Sequence, residues 1–259
     1  MIGVSENGTR RLLFAGLARL EGIRHGVFER RPGASPPPWD ALNVSFAVGD
    51  EPGRVARNRR AVAESLGARR LLFMRQVHGD EVALVDRTTD LAAGEGDSGP
   101  PPADALVTDR PGVFLAVTAA DCQPILIADP VRRVVAAVHA GWRGTARDLP
   151  GKTVQAMIER FGCDPRDLRV GIGPSLGPCC GELRSYRQDL PPALWRYRRE
   201  GTAHFDFWAA TRDQLIARGV PPEQIEVGGL CTRCHPERFF SYRAEKTTGR
   251  FPAVIGIEE

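Results

Sequence analysis

The sequence predicts a layered α/β or α+β fold built as one domain over residues 1–259, with mixed β-sheets flanked by helices. Three observations predict it. The runs "GVFLAVTAAD", "PILIADP" and "RVVAAVHAG" are short, rich in β-branched residues and each closed by a breaker, as suits strands buried on both faces. Helical patterns are interspersed with strand patterns along the chain, which favours a layered mixed fold. A chain of 259 residues also suffices for one large domain with a substantial core.

The elements follow in order. "LLFAGLA" near the N-terminus reads as a strand or turn. Arg10 and Arg11 precede it, as in a twin-arginine export signal, but the apolar run stops at Arg19 and Glu21 without a clear cleavage site. Residues 31–40 are Pro-rich and read as a surface loop. "GRVARNRRAVAESLG" places Val55, Val62 and Leu66 on one helical face, with Asp50 and Pro52 as start signals. "RLLFMRQV" and "EVALVD" read as strands joined at "HGD", a tight polar turn. Residues 91–104, rich in Gly, Pro and acids, read as a second surface loop. After the three apolar runs, "KTVQAMIERFG" reads as a helix closed by Gly162, and "LRVGIGP" as a strand. "DFWAATRDQLIARG" has Asp206 as N-cap and Gly219 as stop. "QIEVGG", "FFSYRAE" and "FPAVIGI" read as closing strands.

Composition excludes several classes. Hydrophobic residues make up 42% and charged residues 26%, ordinary for a globular protein. The net charge of +3 is too weak a bias for nucleic acid, and "RYRRE" at 196–200 reads as a solvated face. No stretch approaches the roughly 20 apolar residues of a membrane span. A cytoplasmic location is therefore expected, with the six cysteines reduced.

"GGLCTRCHPERFF" carries Cys231, Cys234 and His235 in the C-x-x-C-H spacing of c-type haem attachment. Its first half would also suit zinc or a redox dithiol. Haem is disfavoured because it needs export and a second axial ligand, and the methionines are only Met1, Met74 and Met157. Cys179 and Cys180 are adjacent, a poor geometry for two ligands on one metal, and are expected to fill core space or line a pocket.

His78, Cys122 and His139 each fall at the end of an apolar run beside a small or turn-forming residue. Catalytic groups are commonly carried there, because strands position them while loops leave room for substrate. Two imidazoles and a thiolate make a catalytic zinc site whose fourth position is left for water. The same trio could form a Cys nucleophile with a His base, or be a buried Cys with two satisfied core histidines. Arg143 in "HAGWRGT" suits a planar oxyanion, or packs over Trp142.

Together, "HAGWRG", "QVHGD", "VTAADCQP" and "FFSYRAEKTTGR" resemble one family in the expected order, from about residue 25 to the C-terminus. "HGVFERRPGAS", "LNVSFAVGDEPGRVARNRR" and "GIGPSLGPCCGE" resemble its other motifs. This is the family long labelled multicopper polyphenol oxidase or laccase-domain proteins, whose members are described as zinc-dependent purine nucleoside phosphorylases with adenosine deaminase activity. The resemblance implies a metal held by His78, Cys122 and His139. It also implies phosphorolysis of adenosine, inosine or methylthioadenosine, and deamination of adenosine, so that purine nucleosides and phosphate are the expected partners. Val27, Pro32-Gly33, Ala244 and Lys246 depart from the family pattern and bear on substrate contacts rather than on the metal.

For these reactions, Arg143, Arg243 and Arg30 are the expected phosphate contacts. Asp121, beside Cys122, could orient a ligand or shuttle a proton, or simply cap a turn; with Cys122 and His139 it forms the expected catalytic set. Gln76 would share a strand face with His78 and contact a base or a water. Five histidines are too few for a multicopper centre, although a His2Cys set could bind one copper. A mononuclear copper polyphenol oxidase, a Cys122-dependent amidase acting on cell-wall precursors and a non-enzymatic zinc module are the alternatives. A structural zinc would need a fourth ligand at this trio, and none is evident. A monomer or homodimer is expected. Cys231 and Thr232 match a "CT" pair of the family, which makes the haem spacing a coincidence with Cys234 and His235.

Overall fold

A computed structural model describes residues 1–86, 89 and 102–259. Within them, twelve strands run in chain order: β1 (Ile2–Glu6), β2 (Thr9–Leu13), β3 (Ile23–Phe28), β4 (Arg70–Phe73), β5 (Val82–Val85), β6 (Ala105–Thr108), β7 (Val113–Ala119), β8 (Gln123–Asp129), β9 (Val134–Ala140), β10 (Arg169–Ile172), β11 (Ile225–Val227) and β12 (Phe251–Ile257). The helices are α1 (Ala15–Ala18), α2 (Pro52–Leu66), α3 (Trp142–Ala146), α4 (Leu149–Phe161), α5 (Tyr186–Asp189), α6 (Phe207–Ala217) and α7 (Tyr242–Glu245). No helix among these residues is long and apolar enough to cross a membrane.

The strands form two mixed sheets, ordered β1-β2-β3-β12-β7-β4 and β11-β10-β8-β9-β6-β5. Their inner faces pack on each other. Leu115, Val117, Phe251 and Ala253 from the first sheet share one core with Leu126, Ala128, Val135 and Ala137 from the second. The outer face of the second sheet, through Ile125, Ile127, Ala136 and Val138, packs on Val154 and Met157 of α4 and Leu215 of α6. The outer face of the first sheet, through Phe114, Ala116 and Val254, packs with Val62 and Leu66 of α2. The expected mixed sheets with flanking helices are thus observed. Every residue of β8, β9 and β12 is buried, because these strands are covered on both faces, and their unbroken apolar runs are the sequence signature of that burial.

Local chemistry sets the element ends. Pro52 opens α2, and Gly67 closes it at φ 62°, a left-handed conformation that glycine adopts without a Cβ penalty. The Asp206 carboxylate caps α6 by accepting the Ala209 N–H at 3.0 Å. Residues 31–40 form a mainly exposed loop, as expected. Of the 91–104 loop only residues 102–104 lie within the described residues.

Two expectations are corrected. β4 and β5 are not joined as neighbours: β4 pairs in parallel with β7, and β5 in parallel with β6 of the other sheet. The "HGD" turn lies on a crossing between the sheets. Its amides are satisfied by the Asp104 carboxylate, which accepts N–H groups from Val77, His78 and Gly79 at 3.2, 3.1 and 2.6 Å. "FFSYRAE" is not a strand. Phe239 and Phe240 are both fully buried, so the stretch lacks the alternation of a one-sided strand, and Ser241 then caps α7 by accepting the Ala244 N–H at 3.3 Å.

Candidate metal centre

Strand register assembles the site. In the antiparallel β8–β9 pair Pro124 faces His139 and Gln123 faces Ala140, so Cys122, one residue before β8, falls beside Gly141. In the β6–β9 pair Ala105 faces Val138, so Asp104 falls beside His139. Cys122, His139 and Asp104 therefore sit at one end of three adjacent strands. His78 reaches the same end from the crossing between the sheets, with a left-handed backbone at φ 57°. Asp121 is likewise left-handed, at φ 94°. Non-glycine residues held in this region cluster at functional sites because the surroundings must over-determine them.

The donor atoms of His78, Cys122 and His139 all lie within 4.8 Å of one another. The two imidazoles meet edge to face, with ring centroids 5.0 Å apart at 80°. His139 is buried, and its Nδ1 lies 2.9 Å from Asp104 Oδ1, which leaves the other ring nitrogen for Cys122. This carboxylate–histidine pairing fixes tautomer and ring orientation, the usual outer support of a metal-binding histidine. Burial holds the Cys122 thiol up, but His139 and His78 outweigh it and bring its pKa to about 6. Burial disfavours a charged His139, yet Cys122 and Asp104 raise its pKa to about 9. The same His139 contact, with the Gly79 and Val77 amides, overrides burial at Asp104 and holds its carboxyl below the ordinary value. A thiolate and two imidazoles at this spacing fit a metal ion with an open fourth position.

These residues floor a cleft of about 380 Å³, also lined by Trp142, Phe207, Tyr242, Arg243 and Arg250. The volume suits a small organic ligand. The expected site residues divide. His78, Cys122, His139, Asp121, Gln76 and Arg243 all line the cleft. The Asp121 carboxylate is already engaged: Oδ1 accepts the Thr232 and Ser241 hydroxyls, each at 2.7 Å, and Oδ2 accepts the Arg243 N–H at 2.6 Å. Gln76 is clipped to Thr118, donating to its carbonyl at 2.9 Å and accepting its N–H at 2.7 Å.

Two expected phosphate contacts stand elsewhere. Arg143 is exposed and stacks over Trp142, its guanidinium carbon 4.1 Å from the ring centroid. Arg30 is buried away from the cleft, ion-paired to Glu245 at 2.8 Å and donating to the carbonyls of Asp40 and Pro236.

The structure also adds residues. Asp104 ends a Gly/Pro-rich stretch and was visible only as part of a loop. Arg250 lines the cleft and an adjoining cavity of about 330 Å³ that also holds Arg59. Burial lowers the Arg250 pKa, opposed by the Cys122 and Asp121 charges. Buried Gln123 lines the cleft, and its Oε1 has no hydrogen-bond partner among the described residues. The signal for Arg250 was its place in "TTGR", at the end of the last family motif. Cys179, Cys180, Cys231 and Cys234 also converge, their sulfurs within 4.8 Å of one another. Adjacent cysteines do reach one centre here, because a turn at Gly177–Gly181 folds both side chains to one side, with the Cys180 and Gly181 amides donating to the Gly177 carbonyl.

Fold and site together define a class: a two-sheet α/β protein with an open, metal-ready His-Cys-His cleft where the sheets meet. A sequence profile described as multi-copper polyphenol oxidoreductase laccase matches residues 24–258, and the chain belongs to that family. It is 37% identical, over an alignment of 272 residues, to the purine nucleoside phosphorylase YlmD of Geobacillus stearothermophilus, covering 100% of this chain and 99% of the relative. It is 38% identical over 245 residues to a purine nucleoside phosphorylase of Streptomyces coelicolor, covering 92% of this chain and 97% of the relative. The crystal structure of Bacillus licheniformis hypothetical protein YfiH superposes with a TM-score of 0.86 at 32% identity, covering 97% of each chain. That of the Geobacillus YlmD superposes at 0.84 and 35% identity, again covering 97% of each chain. The family resemblance carried by the motifs is borne out.

Proposed function

We propose that this chain is a zinc-dependent purine nucleoside phosphorylase, acting on adenosine, inosine or methylthioadenosine, with adenosine deaminase activity. The observation that carries the reading is the convergence of His78, Cys122 and His139 on the floor of a ligand-sized cleft, in a chain whose curated relatives are named purine nucleoside phosphorylases. Zinc held by His78, Cys122 and His139 would supply a Lewis acid there.

The remaining chemistry falls to the chain. In phosphorolysis a phosphate oxygen forms a bond to ribose C1′ as the bond from C1′ to the purine nitrogen breaks, and the base takes up the proton that the phosphate gives up. Arg250 and Arg243 are the cations that line the cleft, and they bind and orient the phosphate. Trp142, Phe207 and Tyr242 offer flat apolar surface for the purine. Asp121 acts as a positioning residue, because its oxygens are committed to Thr232, Ser241 and the Arg243 amide.

The test is incubation of zinc-loaded protein with adenosine, with and without phosphate. Phosphate-dependent adenine and ribose 1-phosphate support phosphorolysis, and phosphate-independent inosine supports deamination. If neither forms, and Cys122→Ser binds as many zinc ions per chain as the unaltered protein with unchanged affinity, the reading fails.

A second reading has one specific observation behind it. The Cys122 sulfur lies within 4.8 Å of a ring nitrogen of each imidazole, as a nucleophile stands beside its base. An amidase of this kind would work with the metal removed, which the zinc-dependent reading forbids. For a copper oxidase, the same three residues could hold one copper. His25, His204 and His235 do not line the cleft and cannot extend that site into a multicopper centre.

A further inference from the structure

We propose that Cys179, Cys180, Cys231 and Cys234 form a second metal site, a closed structural zinc centre that pins the loop walling the cleft to the loop that follows β11. The loops come from the parallel pair β10–β11. One follows β10 and carries Cys179 and Cys180; the other follows β11 and carries Cys231 and Cys234. A parallel bridge between Ser175 and Cys231 sets them side by side. The Ser175 N–H donates to the Leu230 carbonyl at 3.2 Å, and the Thr232 N–H donates to the Ser175 carbonyl at 3.0 Å. Each loop thus delivers two sulfurs to one point.

The spacing is that of a tetrahedral cage. Zinc–sulfur bonds of about 2.3 Å place the corners of a tetrahedron about 3.8 Å apart. Cys234 Sγ lies 3.7 Å from both Cys179 Sγ and Cys180 Sγ. All four sulfurs lie within 4.8 Å of one another, so only a slight contraction brings the remaining edges to bonding length. Gly177 allows the close approach: a Cβ there would stand 2.7 Å from Trp208 and 3.3 Å from the Cys231 Cβ. Four soft thiolates select zinc or iron, and four protein ligands leave no open position for substrate. As zinc binds, each S–H proton is released and a zinc–sulfur bond takes its place, with no change of oxidation state.

The consequence reaches the cleft. Leu176 and Gly181 flank Cys179 and Cys180 and line it. Thr232, next to Cys231, donates to Asp121, the neighbour of Cys122. Zinc at the four cysteines therefore holds one wall of the cleft against its floor.

Metal analysis of the full-length protein purified from zinc-containing medium tests this. Cys122→Ala removes the thiolate of the first site, so any zinc it retains reports the second site alone. The expected result is one zinc per chain in Cys122→Ala, with a sulfur-only X-ray absorption shell, and loss of that zinc when Cys179→Ser and Cys234→Ser are added. Cys179 and Cys234 are the two exposed members, so their replacement disturbs the core least. In the wild type, maleimide labelling of both should stay slow until a chelator is added. Should the combined variant not fold, cobalt(II) titration of metal-stripped Cys122→Ala should still give the charge-transfer absorption of a tetrathiolate site. Metal-free Cys122→Ala that shows no such absorption overturns the proposal, as does bound iron or an intact mass showing a disulfide within the cluster. Failure of nucleoside cleavage would leave these measurements untouched.

Discussion

Gly141 lies directly against the Cys122 sulfur: a Cβ at this position would stand 2.9 Å from Sγ and 3.7 Å from His78 Cδ2. The backbone at Gly141 is extended, so glycine is needed there for space rather than for torsional freedom. Within "HAGWRG", His139 brings its ring to the cleft floor and Gly141 clears room for the Cys122 sulfur beside it.

Gly141→Ala should therefore push the Cys122 sulfur out of place. Metal sites tolerate distance errors of only about 0.2 Å, so a loss of at least about tenfold in metal affinity is expected. Chelator competition measures it, and the melting temperature serves as the control for folding. An unchanged affinity would show that the sulfur has freedom to move aside.

Asp104→Asn retains the shape but weakens the support of His139 and the capture of the Val77, His78 and Gly79 amides. Metal affinity should fall by about 10–100-fold. Stability should fall by about 1–3 kcal/mol, because either the His78 amide or the Val77 and Gly79 amides lose their acceptor. Denaturant titration of the metal-free protein separates the second effect from the first.

The two arginines should behave oppositely. Arg250→Ala removes a partly buried cation from the cleft, and the phosphate KM should rise about 10–100-fold, the worth of a charge-assisted hydrogen bond. Arg143→Ala removes an exposed guanidinium from Trp142 and should alter either steady-state constant less than about threefold. Steady-state kinetics with phosphate as the varied substrate decide the matter; equal effects would contradict the assignment.

His25 should shape acid stability. It is buried on β3, its Nε2 accepts the Phe14 N–H at 2.9 Å, and burial, then the Arg11 charge, lower its pKa to about 4. The unfolded chain binds this proton near pH 6.5, the folded chain only near pH 4. The contribution is thus complete above pH 6.5 and is lost as pH falls toward 4, by about 3 kcal/mol in all. Urea titrations across that window should show the slope, and His25→Gln should reduce it.

Much of this was legible in the sequence, for physical reasons. β7, β8 and β9 are buried on both faces, so their composition alone marks them. His78, Cys122 and His139 drew attention because each follows or ends an apolar run, and the family motifs supplied their grouping. Asp104 was not found, because its role depends on which strand lies beside β9, and register is not written in spacing. The partition of β4 and β5 between two sheets was missed for a similar reason: a polar turn looks the same whether its amides face a hairpin partner or a distant carboxylate. Arg30 and Arg143 show the converse, since a guanidinium near a motif in sequence can be neutralised by Glu245 or stacked on Trp142 in space. The four cysteines were not grouped, because C-x-x-C suits several kinds of site, adjacent Cys179 and Cys180 read as poor ligands for one metal, and the two pairs meet only through the Ser175–Cys231 bridge.

The pairing of β8 with β9 has a consequence for how this chain can vary. These strands are joined at the end remote from the cleft by residues 130–133, where Asp129 Oδ1 accepts the Val131 and Arg132 amides and Arg133 is left-handed at φ 53°. Surface turns ordinarily absorb insertions and deletions without harm. This one cannot. Gaining or losing a single residue there, if taken up as a slip of one strand, would turn every side chain beyond it to the opposite face and carry Cys122 out of step with His139. The length of a distant hairpin tip thus governs whether Cys122 and His139 meet.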